Sequence, residues 1–183
     1  MAKFELVSRF ANRTDIAYAL PKRATAHAAG YDLYAAESII IPPFNKVMQN
    51  LMTEADRNPM APINYSIGQM AALTKSAKAK PTLVSTGMKV KLADDEYLEI
   101  LPRSSTPLKY WLVLANSAGI IDADYYNNPD NEGEIFLQFI NLSPYPIQIN
   151  VGDFLGQGII HKFYTTEDDC AGGERQGGFG STH

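Results

Sequence analysis

Apolar and polar positions alternate over short distances along most of this chain. Met88, Val90 and Leu92 alternate with Lys89 and Lys91, and Ile147 and Ile149 alternate with Gln148 and Asn150. A period of two puts the apolar side chains on one face of a strand and the polar ones on the other. Similar short runs predict strands over residues 4–7, 31–35, 38–41, 83–84, 97–101, 111–114, 134–140 and 155–163. Turn-forming residues punctuate them: Pro42-Pro43, Gly87, Asp94-Asp95 and Gly152-Asp153. No long helical pattern separates the runs, so alternating βαβ units are not expected. The spacing predicts an all-β fold, a β-barrel or jelly roll of short strands.

One segment breaks the rhythm. Between Asn45 and Pro81, Met48, Leu51, Met52 and Ala55 recur at helical spacing, and Pro59 and Pro62 follow. Ile67, Met70, Ala71 and Thr74 predict a second short helix. The pattern reads as a small helical insertion at about residues 46–80, its methionines packing against the sheet. The same segment can also serve as a contact between copies or as a docking surface for a protein partner.

At 183 residues the chain suits one domain with a real core. The expected division is a β domain over residues 1–169 and a flexible glycine-rich lid over residues 170–183. A net charge of -4 argues against non-specific nucleic-acid binding and leaves a local nucleotide site open. The single cysteine, Cys170, lies among Asp168, Asp169 and glycines, a poor setting for a reactive thiolate. No apolar leader opens the chain and no 18-residue apolar run occurs, so a cytoplasmic or intracellular protein with no membrane association is expected. His27, His161 and His183 lack metal-ligand spacing.

Five stretches carry candidate chemistry. In the tail, Arg175 precedes Gly177, Gly178, Phe179, Gly180, Ser181 and Thr182. Glycines allow backbone amides to converge on an anion, and the arginine and hydroxyls add donors. A disordered solubilising tail fits the same composition. Pro102-Arg103-Ser104-Ser105 forms a compact donor group suited to phosphate oxygens, or else a salt-bridged turn. Asn116 to Tyr125 contains Asp122 and Asp124, which share a face on an extended chain. One can activate water while the other holds structure; a structural turn explains the pair as well. Asp32, in Ala29-Gly30-Tyr31-Asp32-Leu33, needs a partner if buried, and Arg103 or Arg175 can supply it. Gln157 sits between Gly156 and Gly158, where a ligand or another backbone can approach closely.

Together these stretches resemble the trimeric deoxyuridine triphosphatase (dUTPase) family over residues 20–44 and 82–183. All five family motifs stand in order: 29–33, 102–105, 116–125, 152–157 and 175–182. The resemblance implies hydrolysis of dUTP to dUMP and pyrophosphate, which limits uracil incorporation into DNA and supplies dUMP. It implies Mg²⁺ held mainly by the substrate phosphates and water, with no direct protein ligand. It also implies a homotrimer whose sites are shared between chains. By motif, Asp122 matches the aspartate that deprotonates the attacking water. Tyr125 matches the aromatic residue that excludes a ribose 2′-hydroxyl. Asn116, Gly119 and Ile121 match the uracil-reading segment, and Arg103, Ser104, Ser105 and Gln157 the phosphate contacts. Asp32 matches a supporting carboxylate. Arg175, Gly177, Gly178, Phe179, Gly180 and Ser181 match the lid, with Phe179 over uracil and Arg175 at the γ-phosphate.

This chain departs from the family pattern in three places. Residues 126–132 lengthen the tip between Tyr125 and Gly133-Glu134. Arg175 stands one residue, rather than two, before the glycine pair. Compact relatives lack the insertion. A dCTP deaminase shares the family's barrel but needs a glutamate in the nucleobase region. Here Glu132 and Glu134 lie beyond Tyr125, outside that core.

Overall fold

A computed structural model of the chain describes residues 1–14, 20–57, 64–173, 175, 177 and 178. Each run of alternating residues falls on a strand. In order these are β1 (Lys3–Leu6), β2 (Tyr31–Tyr34), β3 (Ile39–Ile41), β4 (Thr82–Ser85), β5 (Met88–Lys91), β6 (Glu96–Pro102), β7 (Leu112–Leu114), β8 (Gly119–Asp122), β9 (Phe136–Asn141), β10 (Ile147–Ile149) and β11 (Phe154–Lys162). Among the described residues the α-helices with bounds are α1 (Phe44–Asp56), α2 (Ile67–Ser76) and α3 (Ser105–Tyr110).

The expectation of an all-β barrel or jelly roll is corrected. Among the described residues the strands form four separate sheets: β1-β5, β3-β10, β4-β9-β7 and β2-β11-β6-β8. With α-helices beside them, the fold is mixed α/β, with no closed barrel among the described residues. Closure needs a continuous staggered ladder around the ring. Most of these strands are only three or four residues long. β6, the second longest, ends at Pro102, which has no N–H to donate.

The alternation nevertheless sets what is buried. On β5, Met88 and Val90 point into the core while Lys91 is exposed. Leu98 and Ile100 of β6, Leu137 and Phe139 of β9, and Leu33 of β2 join Val90 in one apolar cluster. The residues between them, Tyr97, Glu99 and Leu101 on β6, therefore face outward. That outer face of the four-stranded sheet carries Asp32, Gln157 and Asp122, opposite one another or opposite Leu101 and Tyr97.

Both insertion helices form as the periodicity predicts. α2 begins on a reciprocal cap in which Ser66 accepts from the Gln69 backbone and Gln69 accepts from the Ser66 backbone. Neither helix has a fully buried residue. Val47, Met48 and Leu51 of α1 instead line an apolar groove of about 290 Å³ against Ile41, Ala79, Phe139 and Ile140. Pro59 and Pro62 lie outside the described residues. No helix among the described residues is long and apolar enough to cross a membrane.

An ion pair between half-exposed Arg9 and buried Glu134 ties the N-terminal segment to the residues before β9. Glu134 is 4% exposed. It accepts from Arg9 Nε at 3.1 Å and Arg9 Nη2 at 2.6 Å, and from the Ser85 hydroxyl. Arg9→Ala leaves a buried carboxylate with the Ser85 hydroxyl as its remaining side-chain partner among the described residues. A loss of about 2–4 kcal/mol is expected, read from urea unfolding midpoints at constant slope. Arg9→Ala of wild-type stability shows that the pair contributes nothing net.

Candidate active site

β2, β11 and β6 bring one group of predicted residues together. The register sets Gln157 of β11 opposite both Asp32 of β2 and Leu101 of β6. Arg103 follows β6 directly, and its Nε lies 3.4 Å from Asp32 Oδ1. Of the two arginines the sequence offered to Asp32, Arg103 is the one that takes it. The Arg103 guanidinium also lies over the Phe154 ring at 5.1 Å. Its backbone is held by Thr106, which is fully buried, donates its N–H to Arg103 O at 2.9 Å and donates its hydroxyl to Leu155 O at 2.8 Å. Ser104 and Ser105 open the short helix α3, which the sequence reading missed. Six residues holding a proline at the third position leave too little periodicity to see.

The glycines around Gln157 are explained by close packing. A Cβ on Gly156 would lie 2.9 Å from Leu137 Cδ2, and one on Gly158 would lie 2.9 Å from Leu98 Cδ1. A Cβ on Gly30 would lie 2.4 Å from Gln157 Oε1 itself. Any side chain there displaces the Gln157 amide, so Gly30 sets its position.

The second group gathers at the opposite end of the sheet. Asp122 closes β8 opposite Tyr97. The chain then turns through a short 3-10 segment, Ala123–Tyr125, rather than continuing extended. Asp122 and Asp124 nevertheless meet one cation. Arg175 bonds Asp122 Oδ2 through Nη2 and Asp124 Oδ1 through Nε, the latter at 2.7 Å. The Arg175 guanidinium stands 5.8 Å from the centre of the Tyr125 ring. A Cβ on Gly178 would lie 2.8 Å from Tyr125 Cε2, so the tail passes directly against that ring. Arg175 thus faces the aspartates where the motif implied a phosphate.

Tyr125 is 6% exposed. Its hydroxyl donates to Glu134 O at 3.0 Å and accepts from Asn131 Nδ2 at 2.7 Å. Burial pushes the phenol above its ordinary value, with the Asn131 amide opposing. Asn116, Gly119, Ile121, Tyr125, Arg175 and Gly178 share one cavity of about 190 Å³. A second cavity beside it is bounded by Asp122, Asp124, Tyr126 and again Arg175. Gly119 permits close approach here, since a Cβ would lie 3.2 Å from Ile100 Cβ. Gly177 is buried beside these residues. Phe179, Gly180, Ser181 and Thr182 lie outside the described residues.

Asp122 shares the outer face with the Asp32, Gln157 and Arg103 group but not its location, while Gly119 and Ile121 sit opposite the core residues Ile100 and Leu98. Asp122 and Gln157 are aligned with Tyr97 and Leu101, four residues apart on β6. That is about 13 Å along the strand. One chain does not bring the phosphate group to the base.

Asp124, the aspartate offered as holding structure beside a water-activating partner, binds Arg175 together with Asp122. One residue that matters at the Asp122 end was not singled out in the sequence. Asn131 lies in the lengthened tip, where no periodicity shows which way a side chain turns. The glutamates that a deaminase reading would need are otherwise engaged: Glu132 bonds Ser8, and Glu134 is held by Arg9 and Ser85. Among the described residues no group of three His, Cys, Asp or Glu is placed to hold a metal. Cys170 is a free, exposed thiol.

Known proteins resemble this chain over nearly all of its length. The dUTPase family model matches residues 65–183. The deoxyuridine 5'-triphosphate nucleotidohydrolase of Lactococcus lactis subsp. lactis is 35% identical over 181 residues, 98% of this chain and 95% of that protein. Its counterpart in Wolinella succinogenes is 30% identical over 89% of this chain and 85% of its own length. The crystal structure of dUTPase from Streptococcus mutans aligns with a TM-score of 0.66 and 34% identity, covering 90% of this chain and 98% of that one. The chain belongs to the dUTPase family.

Proposed function

We propose that this protein hydrolyses dUTP to dUMP and pyrophosphate with Asp122 as the base that takes a proton from the attacking water. The activity is that of its family, a dUTP diphosphatase. The observation that supports the residue roles is the pair of adjoining cavities at the end of β8. One is lined by Asn116, Gly119, Ile121 and Tyr125, the other by Asp122 and Asp124. The first suits a uracil and its deoxyribose, with the buried Tyr125 as a wall that leaves no room for a 2′-hydroxyl. In the second, Asp122 is half exposed and free to meet water once Arg175 moves to a phosphate. An ionised carboxylate positioned beside the attacking water accepts its proton as the bond to phosphorus forms.

Arg103, Ser104, Ser105 and Gln157 are the proposed phosphate contacts, with Asp32 holding the Arg103 guanidinium in place. Fixed donors of this kind stabilise the charge that develops on the leaving pyrophosphate. Residues 170–183 act as a lid. Arg175, Gly177, Gly178, Gly180 and Ser181 offer donors to the phosphates, and Phe179 covers the uracil. Mg²⁺ dependence is a family property, and the ion neutralises triphosphate charge when bound. The donor set here fits an ion carried by phosphates and water, because Asp32, Asp122 and Asp124 each face an arginine.

A homotrimer with shared sites accounts for the separation of the two groups. A head-to-tail contact sets the Asp122 end of one copy against the Arg103 end of the next, and such contacts close into rings. The insertion, with its half-covered groove, is a further proposed contact surface.

The reading is tested by pyrophosphate release from dUTP, dTTP, dCTP and UTP, with and without Mg²⁺. Turnover is expected with dUTP and Mg²⁺, without ammonia release from dCTP. Protein truncated after Gly173 is expected to stay folded, keep the preference for dUTP and lose most of the rate. Equal rates on all four nucleotides would overturn the site assignment, and full activity after truncation would remove the lid.

A further inference from the structure

The lengthened tip at residues 126–132 is more tightly organised than a surface loop requires. Asn128 is 5% exposed and uses its whole hydrogen-bonding capacity inside the tip. Its Nδ2 donates to Tyr125 O at 2.8 Å and to Asn131 Oδ1 at 2.9 Å. Its Oδ1 accepts from the backbones of Asp130 at 3.0 Å and Asn131 at 3.1 Å. Asn131 Oδ1 also accepts from Gly133 N at 3.0 Å. Both acceptor positions of Asn131 are therefore filled within the tip. This fixes the amide plane and turns Nδ2 toward one target, the Tyr125 hydroxyl at 2.7 Å.

The backbone is shaped to the same end. Asn127, Glu132 and Gly133 all have positive φ, at 58°, 60° and 81°. A Cβ on Gly133 would lie 2.5 Å from Tyr125 O, so the tip closes directly onto the Tyr125 peptide. Two non-glycine residues in the left-handed region carry a cost that the network offsets. The hydroxyl so held belongs to the ring that meets the tail at Gly178 and Arg175 on its other side.

We propose that Asn131 is a positioning residue for sugar selection: through its amide N–H it holds the Tyr125 phenol, and with it the ring that contacts the deoxyribose. The inference rests on the proposed role of Tyr125 as the sugar wall. A ring anchored at its hydroxyl cannot rock aside to admit a 2′-hydroxyl, whereas a ring anchored only at Glu134 O retains one hinge. Asn128 acts one step further back, by fixing Asn131.

Asn131→Asp is the informative variant. It keeps an oxygen for Asn128 and Gly133 and puts an acceptor where the N–H was, so the phenol, with one proton for two acceptors, can bond Glu134 O or residue 131 but no longer both. The ratio of kcat/KM for dUTP over UTP is expected to fall about fivefold, the scale of one hydrogen bond, with thermal stability measured alongside. In a Tyr125→Phe background, which lacks the hydroxyl, the same substitution is expected to leave the ratio where Tyr125→Phe put it. A fivefold effect that persists without the hydroxyl would mean Asn131 acts through the loop fold, and the proposal falls. The clamp also has a readout independent of activity. With ¹³C-labelled tyrosine, the Tyr125 Cζ resonance, identified by its loss in Tyr125→Phe, is expected to move in Asn131→Asp. An unmoved resonance overturns the proposal whatever the kinetics give. An unchanged preference in Tyr125→Ala, by contrast, overturns the sugar-wall reading on which it rests.

Discussion

Asp122→Asn is expected to lower turnover on dUTP by about 10²–10⁴-fold, the usual scale for removing a positioned acid or base. The amide keeps the shape of the side chain and loses the capacity to accept a proton. Nucleotide affinity is expected to change far less, because the cavity lined by Asn116, Gly119, Ile121 and Tyr125 does not depend on that carboxylate. Arg175 complicates a naive reading, since it bonds both Asp122 and Asp124. Asp124→Asn separates the effects: it weakens the hold on the arginine and leaves the base intact. If the two variants lose rate equally, the aspartates act through Arg175 and not through proton transfer. Near-normal turnover of Asp122→Asn ends its assignment as the base.

The strands were legible because a half-covered strand writes its two faces into alternate residues. β5 and β10 are the plainest cases, with Lys89 and Lys91, and Gln148 and Asn150, between their apolar positions. α1 was legible for the same reason at another period, through Met48, Leu51 and Ala55. The way strands group into sheets was not. Alternation states which face is buried but says nothing of which ladder continues past a proline or a three-residue strand. The barrel expectation extrapolated from strand count to closure, and the four open sheets do not support that step.

The site divides along similar lines. Residue types and order singled out Asp32, Arg103, Asp122, Tyr125, Gln157 and Arg175 as candidates. Pairing was legible only as alternatives, such as Arg103 or Arg175 for Asp32, because contact across strands is set by register. The register then decided for Arg103. Asn131 was invisible for a different reason. Its role depends on the direction of one amide in a loop with three positive-φ residues, and no local pattern encodes that direction.

Two variants that are each nearly inactive are expected to restore activity when their chains are mixed, and this tests the shared site directly. Asp122→Asn removes the base at one end of the outer face, and Arg103→Ala removes a proposed phosphate contact at the other. Within one chain these ends are held apart by four residues of β6. If each site joins the Asp122 end of one copy to the Arg103 end of the next, neither homogeneous trimer contains an intact site. Random co-assembly from equal amounts, by unfolding and refolding together, gives each contact an intact base half the time and an intact arginine half the time. About a quarter of the sites are then complete, and the mixture is expected to recover about that fraction of wild-type activity. The control is the same pair of proteins mixed without unfolding, where chains do not exchange and activity stays near zero. Mixed trimers demonstrated by native mass spectrometry, yet no more active than their parents, rule out the shared site and return the burden to a rearrangement within one chain.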